Sequence, residues 1–125
     1  METPAPISLR LGTPADARAC YHLLWASATD LGRRHGTELE GSSDDWWAEG
    51  EPLARYMATH AAEWWIAESD GAQNPIGYAR SIERGGLFEL TELFVRPGLQ
   101  SRGVGRALLD RAFPAERGDV RSIIA

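Results

Sequence analysis

The spacing of apolar residues divides the chain into alternating strand and helix patterns. Ile7 to Leu11 alternates apolar and polar side chains, as a half-buried strand does. The segment Thr13-Pro14-Ala15-Asp16 then has the form of a capping box with proline at the first helical position. Apolar residues at helical spacing follow to about Ala28. We therefore predict a strand and a helix, preceded by a flexible leader at residues 1–6.

A polar connector and a second helical pattern come next. Residues 30–43 contain three glycines and two serines among charged residues, which indicates turns. Ser42 begins a second capping box, so a helix is predicted over about 44–60. Gly50 and Pro52 are expected to interrupt this helix and to restart it near the proline.

After the second helix the pattern changes to strands. Residues 64–67 form a short apolar run, and a second strand pattern follows from Ile76. The turn residues Arg84-Gly85-Gly86 lead into a third strand pattern over 87–95. We expect these three strands to be adjacent and antiparallel.

A last helix and a last strand complete the pattern. Apolar residues lie three or four apart over residues 104–113, and Pro114 follows as a helix stop. Residues 120–125 form a final strand pattern, which is expected to run parallel to residues 87–95 because a crossover helix joins the two. The order of elements predicts an α/β (α+β) fold, with a mixed, mostly antiparallel sheet flanked by helices in a single domain over residues 7–125.

Composition and charge exclude several classes of function. The chain has 13 Lys and Arg against 18 Asp and Glu, a formal net charge of -5, so nucleic acid is not expected as a partner. No segment approaches the ~20 apolar residues that cross a bilayer, so no membrane association is expected. The single cysteine, Cys20, is expected to be a packed thiol in a cytoplasmic protein, and no Cys or His pair has metal-binding spacing.

The stretch between the third strand and the last helix indicates an anion site. The first amides of a helix have no partner within the helix, and they point outward with the positive end of its dipole. Gly103 and Gly105 allow the backbone to approach a phosphate closely, and Arg102 and Arg106 add positive charge. We expect a pyrophosphate there. A Walker A loop would need Gly-Lys-Ser/Thr, and a dinucleotide fingerprint would need a small residue in place of Leu108.

The same stretch resembles a known family. Residues 100–105, Gln-Ser-Arg-Gly-Val-Gly, resemble the Gln/Arg-x-x-Gly-x-Gly/Ala loop of the GNAT acetyltransferases, and Leu93, Val95 and Pro97 resemble the strand end that precedes it in the family. The resemblance implies an acetyl-CoA-dependent N-acetyltransferase that acts on a primary amine of a small molecule or peptide. It further implies that the amides of residues 100–105 hold the pyrophosphate and that the Phe94-Val95 backbone pairs with the pantetheine arm. The expected cofactor-binding residues are therefore Phe94, Val95, Gln100, Ser101, Arg102, Gly103, Val104, Gly105 and Arg106.

Two glutamates are candidates for the catalytic base. Acetylation requires a group that takes a proton from the amine, and Glu89 and Glu92 lie in the strand beside the loop. Their separation of three predicts opposite faces of the strand unless a bulge intervenes, so only one is expected to face the substrate. In the resemblance, Glu89 matches the position of a catalytic glutamate of some family members and Glu92 a position that is often acidic in others. The resemblance also implies an oxyanion donor in the backbone N–H near Val95.

The tryptophan pairs are expected to divide between the core and the surface. Adjacent residues of a strand point to opposite faces, so one of Trp64 and Trp65 should lie in the core and the other should cover a helix. Trp46 and Trp47 of the second helix are candidates for partial exposure near the acceptor cleft, with packing against the core as the alternative.

The sequence departs from the family after the last strand. A complete GNAT domain continues past this point with another helix and further strands, in many members with a tyrosine that protonates the leaving thiolate. The tyrosines here, Tyr21, Tyr56 and Tyr78, match no such position. We therefore expect the C-terminal part of the domain to be missing and the strand at 120–125 to pair with a second copy or a complementing chain. The alternatives are a non-catalytic acetyl-CoA-binding or regulatory module, and an incomplete fragment that acts through protein–protein contacts.

Overall fold

The computed structural model describes residues 6–69, 74–99 and 103–123, whose strands form one sheet. The strand order is β1-β2-β3-β4-β5, antiparallel at each pair except β4 and β5, which are parallel. The predicted α/β fold with a mostly antiparallel sheet and flanking helices is confirmed. The elements are β1 (Ile7–Leu11), a 3₁₀ turn (Pro14–Asp16), α1 (Ala17–Arg34), α2 (Ser43–His60), β2 (Glu63–Ser69), β3 (Gly77–Arg84), β4 (Leu87–Val95), α3 (Val104–Ala112) and β5 (Val120–Ile123).

Helices cover both faces of the sheet, and each face has its own apolar cluster. On one face α1 and α2 pack against β2 and β3, with Cys20, Leu23, Trp47, Ile66 and Tyr78 in the cluster. On the other face α3 packs through Val104, Leu108 and Ala112 onto side chains of the same strands and of β4. The sheet therefore separates two independent layers of packing.

The tryptophans of β2 follow this division. Trp64 is buried in the cluster under α1 and α2, whereas Trp65 faces α3. The guanidinium of Arg111 in α3 lies 4.8 Å from the ring centroid of Trp65. One tryptophan is thus core and the other lies under a helix, as predicted.

Helix α1 is longer than the sequence predicts. The expected end near Ala28 is wrong, because the helix continues to Arg34. Gly32 was expected to mark a turn, but it lies inside the helix, and its carbonyl accepts a hydrogen bond from Thr37 N–H at 2.8 Å. A Cβ at this position would lie 2.8 Å from the Thr37 carbonyl oxygen. Gly32 therefore allows the chain after the helix to fold back against it.

Helix α2 is continuous, so the predicted interruption at Gly50 and Pro52 is wrong. Trp47 and Ala54 are buried on either side of this point and hold both halves against the same core. A Cβ on Gly50 would lie 2.1 Å from the Tyr21 hydroxyl oxygen, so the glycine makes room for a ring of α1. The proline removes one backbone donor at a cost of about 3 kcal/mol, which packing on both sides offsets.

Strand β5 is one of the two edge strands of the described sheet, and β1 is the other. The residues of β5 pair with the N-terminal half of β4, from Leu87 with Val120 to Leu90 with Ile123. Val120 and Ile123 are 61% and 60% exposed. Residues 124 and 125 of the predicted strand lie outside the described residues, and pairing of this edge with another chain stays a prediction. In residues 6–69, 74–99 and 103–123, no helix is both long and apolar enough for a membrane crossing.

The predicted capping box at Thr13 is present and is reinforced by an ion pair. The Asp16 carboxylate accepts hydrogen bonds from the Thr13 N–H at 2.8 Å and from the Arg10 guanidinium at 2.8 and 2.9 Å. The hydrogen bonds from Arg10 are the main cause that lowers the pKa of Asp16 to about 2. The start of α1 is thereby tied to β1.

We predict that Asp16→Asn lowers the free energy of unfolding by about 1 kcal/mol at pH 7, since it weakens a cap and an ion pair. The pKa of Asp16 is lower in the folded chain, so its stabilisation is present above the unfolded value near 3.8 and is lost as the pH falls towards about 2. Urea unfolding from pH 7 to pH 2 should show the two proteins converging at the acid end. Asp44→Asn, which alters an exposed ion pair with Arg18, is the matched control with little effect.

Candidate active site

A β-bulge in β4 brings the two candidate glutamates to the same face of the sheet. Ser81 pairs with Leu90 but Arg80 pairs with Glu92, so Thr91 is the extra residue on β4. Glu89 consequently shares a face with Ile82, and Glu92 shares that face with Arg80. The two glutamates do not project to opposite faces, because the bulge named as the exception is present and cancels the odd spacing.

A buried ion pair holds the bulge in place. Arg80 donates to both carboxylate oxygens of Glu92, from Nε at 2.5 Å and from Nη2 at 2.6 Å. Tyr78 donates its hydroxyl to the same carboxylate at 3.1 Å, and Thr91 donates its hydroxyl to the Arg80 carbonyl oxygen at 3.0 Å. The side chains of Arg80 and Glu92 are only 4% and 14% exposed. The charge of Glu92 is therefore already compensated within the protein.

The protonation states of this cluster follow from burial and from the neighbouring charges. Burial opposes the charge of Arg80, but the hydrogen bonds and charge of Glu92 outweigh it and raise the pKa of Arg80. Burial, together with the negative charge of Glu92, raises the pKa of Tyr78 well above its ordinary value. Tyr78 thus stays a neutral donor. The third guanidinium nitrogen of Arg80 has no hydrogen-bond partner among the described residues, and the guanidinium lies 4.7 Å from the Trp64 ring centroid.

Glu89 is in a different environment from Glu92. It is half-buried, and its side chain makes no hydrogen bond or ion pair with the described residues, although its backbone lies in the ladder between β3 and β5. Its carboxylate lines a cavity of about 400 Å³ between α1, α2 and the bulged part of the sheet. We call this cavity the acceptor cleft, and its lining residues are Tyr21, Leu24, Gly50, Leu53, Ala54, Met57, Ile82, Glu89, Thr91 and Glu92.

A second, outer cavity of about 390 Å³ adjoins the acceptor cleft. The two cavities share Tyr21 and Gly50, and Trp46 and Glu49 complete the lining of the outer one. Trp46 is half-buried there, with its indole N–H donated to the Glu40 carbonyl oxygen at 2.8 Å, whereas Trp47 is buried. Only Trp46 of this pair therefore meets the expected partial exposure near the cleft.

The largest described cavity has the opposite charge. It measures about 600 Å³ and lies between α1 and the strand ends at Pro75 and Arg96. Arg18 and Arg96 line it and no carboxylate does, so an ammonium group would find no counter-charge in the described lining. Across the part of the chain that the structure describes, no three Cys, His, Asp or Glu side chains cluster closely enough to hold a metal ion.

Gly103 begins α3 in the left-handed conformation, with φ of 77°. The first backbone hydrogen bond of the helix runs from Ala107 N–H to the Gly103 carbonyl oxygen. The amides of Val104, Gly105 and Arg106 come before it and therefore have no acceptor within the helix. A Cβ on Gly103 would have no described neighbour within 4 Å, whereas a Cβ on Gly105 would lie 3.7 Å from Val95. The helix thus starts against the end of β4.

The structure describes some of the predicted cofactor-binding residues but not all of them. Phe94 and Val95 end β4, and Val104 is buried under α3. Arg106 is exposed, with its Nε 3.1 Å from Asp110, so its charge is directed along the helix rather than towards the loop. Gln100, Ser101 and Arg102 lie outside the described residues.

Several residues of the site carry no obvious sequence signal. Tyr78, Arg80 and Thr91 form the bulge cluster, and Tyr21 with Gly50 sets the wall between the two cavities. Arg80 lies between Tyr78 and Ile82 on one face of β3, and this was the one available sign, since an arginine on an apolar face needs a buried acid as partner. Cys20 is buried as predicted, and burial raises the pKa of its thiol to about 12.

Residues 60–123 match the family model described as acetyltransferase (GNAT) domain. The matched residues make up just over half of the chain. The chain therefore belongs to the GNAT acetyltransferase family. No curated protein matches it significantly by sequence.

Solved structures share the fold at low sequence identity. PaiA N-acetyltransferase from Thermoplasma acidophilum in complex with coenzyme A has 19% identity and a TM-score of 0.63, over 83% of this chain and 67% of its own. A GNAT acetyltransferase from Staphylococcus aureus has 16% identity and a TM-score of 0.59, over 86% and 64%. The aminoglycoside N-acetyltransferase AAC(6')-Iy in complex with coenzyme A has 19% identity and a TM-score of 0.58, over 100% and 80%. This chain thus spans about two thirds of the length of the first two.

We predict that Arg80→Met lowers the free energy of unfolding by about 3–5 kcal/mol, because it leaves the buried Glu92 carboxylate without its counter-charge. The double variant Arg80→Met/Glu92→Leu should recover a large part of this loss, since it removes both charges. Urea unfolding of the two single variants and the double variant measures the coupling. Losses that simply add would contradict a coupled pair.

Proposed function

We propose that this chain binds acetyl-coenzyme A at the start of α3 and transfers the acetyl group to a primary amine held in the acceptor cleft. The observation that carries the proposal is the position of Glu89. It is a carboxylate without a described partner, directed into a cleft at the bulge of the strand that leads to the glycine loop. Membership in the GNAT family and the coenzyme A complexes of two relatives of this fold support it.

The start of α3 suits an anionic cofactor arm. The amides of Val104, Gly105 and Arg106 add partial positive charge at a helix N-terminus, which favours phosphate oxygens. The open space at Gly103 lets a phosphate approach the backbone where a side chain would intervene. Residues 100–102 are expected to complete the loop. Acetyl-coenzyme A, when bound, supplies a thioester whose carbonyl carbon accepts the amine lone pair while the C–S bond breaks.

The first half of β4 pairs with β5, and the second half is the part that we assign to the cofactor. The pairs that β4 forms with β5 in the described residues end at Leu90, so Thr91 to Val95 extend beyond the last described residue of β5. We assign the Phe94-Val95 backbone to the pantetheine arm, as the family resemblance implies. The acyl end of this arm would then lie near the bulge, beside the acceptor cleft.

Glu89 is the proposed general base. A primary amine is largely an ammonium ion at pH 7 and cannot attack until it has lost a proton. The Glu89 carboxylate can attract the ammonium and take this proton, directly or through one water. Glu92 is unsuited because Arg80 and Tyr78 already donate to its oxygens. Glu92 and Arg80 are instead positioning residues that maintain the bulge.

We predict that Gly103→Val weakens acetyl-coenzyme A binding at least about tenfold, because a branched side chain disfavours positive φ and occupies the space of the phosphate. Isothermal titration calorimetry measures the loss. Gly36→Val is the matched control, since Gly36 has φ of 76° and also lacks neighbours within 4 Å of a Cβ. Equal binding by all three proteins would refute the assignment of the cofactor site.

We predict that Glu89→Gln reduces kcat/KM for acetyl transfer by about 100-fold or more while acetyl-coenzyme A affinity stays within about twofold. Release of free thiol in the presence of a panel of primary amines measures turnover. The control is Glu83→Gln, an exposed glutamate near the turn of the same hairpin that pairs with Arg117. Full activity of the Glu89 variant would exclude Glu89 as the base, and cofactor binding without turnover by the unmodified protein would indicate a binding module.

A further inference from the structure

We infer that the acceptor is a primary amine with a single positive charge and an apolar alkyl or aryl body, and that polyamines and other polycations are poor acceptors. This inference rests on the proposed function, because it assigns the substrate class of the same cleft. It depends on three features of the cleft: the number of uncompensated carboxylates in its lining, its apolar walls and the positive charge at its rim.

The described lining of the acceptor cleft offers one uncompensated negative charge. Of its two carboxylates, Glu92 is neutralised by the two hydrogen bonds from Arg80. Glu89 alone remains to attract a cation. One ammonium group can therefore be matched by one carboxylate, and a second ammonium in the cleft would have no counter-charge.

The walls of the cleft are apolar. Side chains from both helices and from β3 form them, namely Leu24, Leu53, Ala54, Met57 and Ile82. Apolar walls around a few polar groups are typical of pockets for small organic ligands, and about 400 Å³ lies within their usual size range. A hydrocarbon body gains free energy on entering such a space, whereas an unpaired ammonium loses its hydration without replacement.

A positive charge stands at the rim of the cleft. Arg84 follows Ile82 by two residues along β3, so both side chains are on the same face of the strand. Its guanidinium donates a hydrogen bond to the Tyr56 hydroxyl and lies 5.6 Å from the Tyr56 ring centroid. Tyr56 directly precedes Met57 of the cleft wall. Arg84 is exposed, so its charge is screened, and it offers no attraction to a distal cation that extends past this rim.

The outer cavity does not reverse this preference. Its one acid, Glu49, is exposed, and the attraction of a solvated carboxylate is weak and screened by salt. The Trp46 and Tyr21 rings in this cavity suit the far end of an apolar or aromatic body. The expected acceptor thus differs from a polycationic aminoglycoside, although an aminoglycoside acetyltransferase shares the fold.

Hexylamine and cadaverine test the inference, because the two molecules have the same number of heavy atoms and differ in the group at the far end. The unmodified protein should acetylate hexylamine with a kcat/KM at least about tenfold above that for cadaverine. Calorimetric titration of each amine into the protein with coenzyme A should show the same order of affinity without any need for turnover.

A charge added to the wall should change the preference in a predictable direction. Leu53 lines the cleft and is 67% exposed, so Leu53→Asp should fold normally and offer a second carboxylate to a diamine. It should raise the kcat/KM of cadaverine relative to hexylamine about fivefold. Leu31→Asp is the matched control, because Leu31 is 58% exposed on α1 outside the cleft and its replacement should leave the ratio unchanged.

The outcomes separate this inference from the proposed function. If cadaverine is acetylated or bound as well as hexylamine, the inference is overturned while acetyl transfer stands. If hexylamine binds preferentially but is not acetylated, the assignment of the cleft stands and catalysis fails. A ratio that changes equally in Leu53→Asp and Leu31→Asp would also overturn the assignment of this cleft as the acceptor site.

Discussion

The ion pair between Arg80 and Glu92 is the interaction on which the geometry of the site depends. It lies in an almost water-free environment, where an unpaired partner would be costly, so the two side chains must remain together. They can do so only if Thr91 is excluded from the strand ladder. Because of the bulge, Glu89, which pairs with Ile82, lies on the same face of β4 as Glu92. The bulge that accompanies this buried charge pair thus places both carboxylates on the face of β4 that is turned to α1 and α2.

Local signals were sufficient to predict most of the fold. The alternation in β1, the two capping boxes, and the glycine turn between β3 and β4 each depend on a few neighbouring residues, and all of them are present. The parallel β4 and β5 pair followed from the crossover helix between them. The glycine loop was recognisable because its composition reflects a backbone requirement, which Gly103 satisfies with a positive φ.

The features that sequence reasoning missed all depend on contacts between distant segments. A regular hairpin register that starts at the turn of Gly85 and Gly86 would pair Arg80 with Thr91. The structure pairs Arg80 with Glu92, so this ion pair can be predicted only once the bulge is known. Gly32 and Gly50 resemble turn residues, but each makes room for a group from elsewhere, the Thr37 carbonyl and the Tyr21 ring respectively. Helix ends and cavity walls of this kind are decided by tertiary packing rather than by propensity.

The separation of the two apolar clusters by the sheet has a consequence for how such a domain can diversify. Residues of α1 and α2 shape one side, and residues of α3 shape the other, with little shared packing between them. Substitutions in α1 and α2 that reshape the cleft are therefore expected to leave the packing of α3 on the opposite face unchanged. Selectivity and cofactor use can therefore evolve as separate traits, one face at a time.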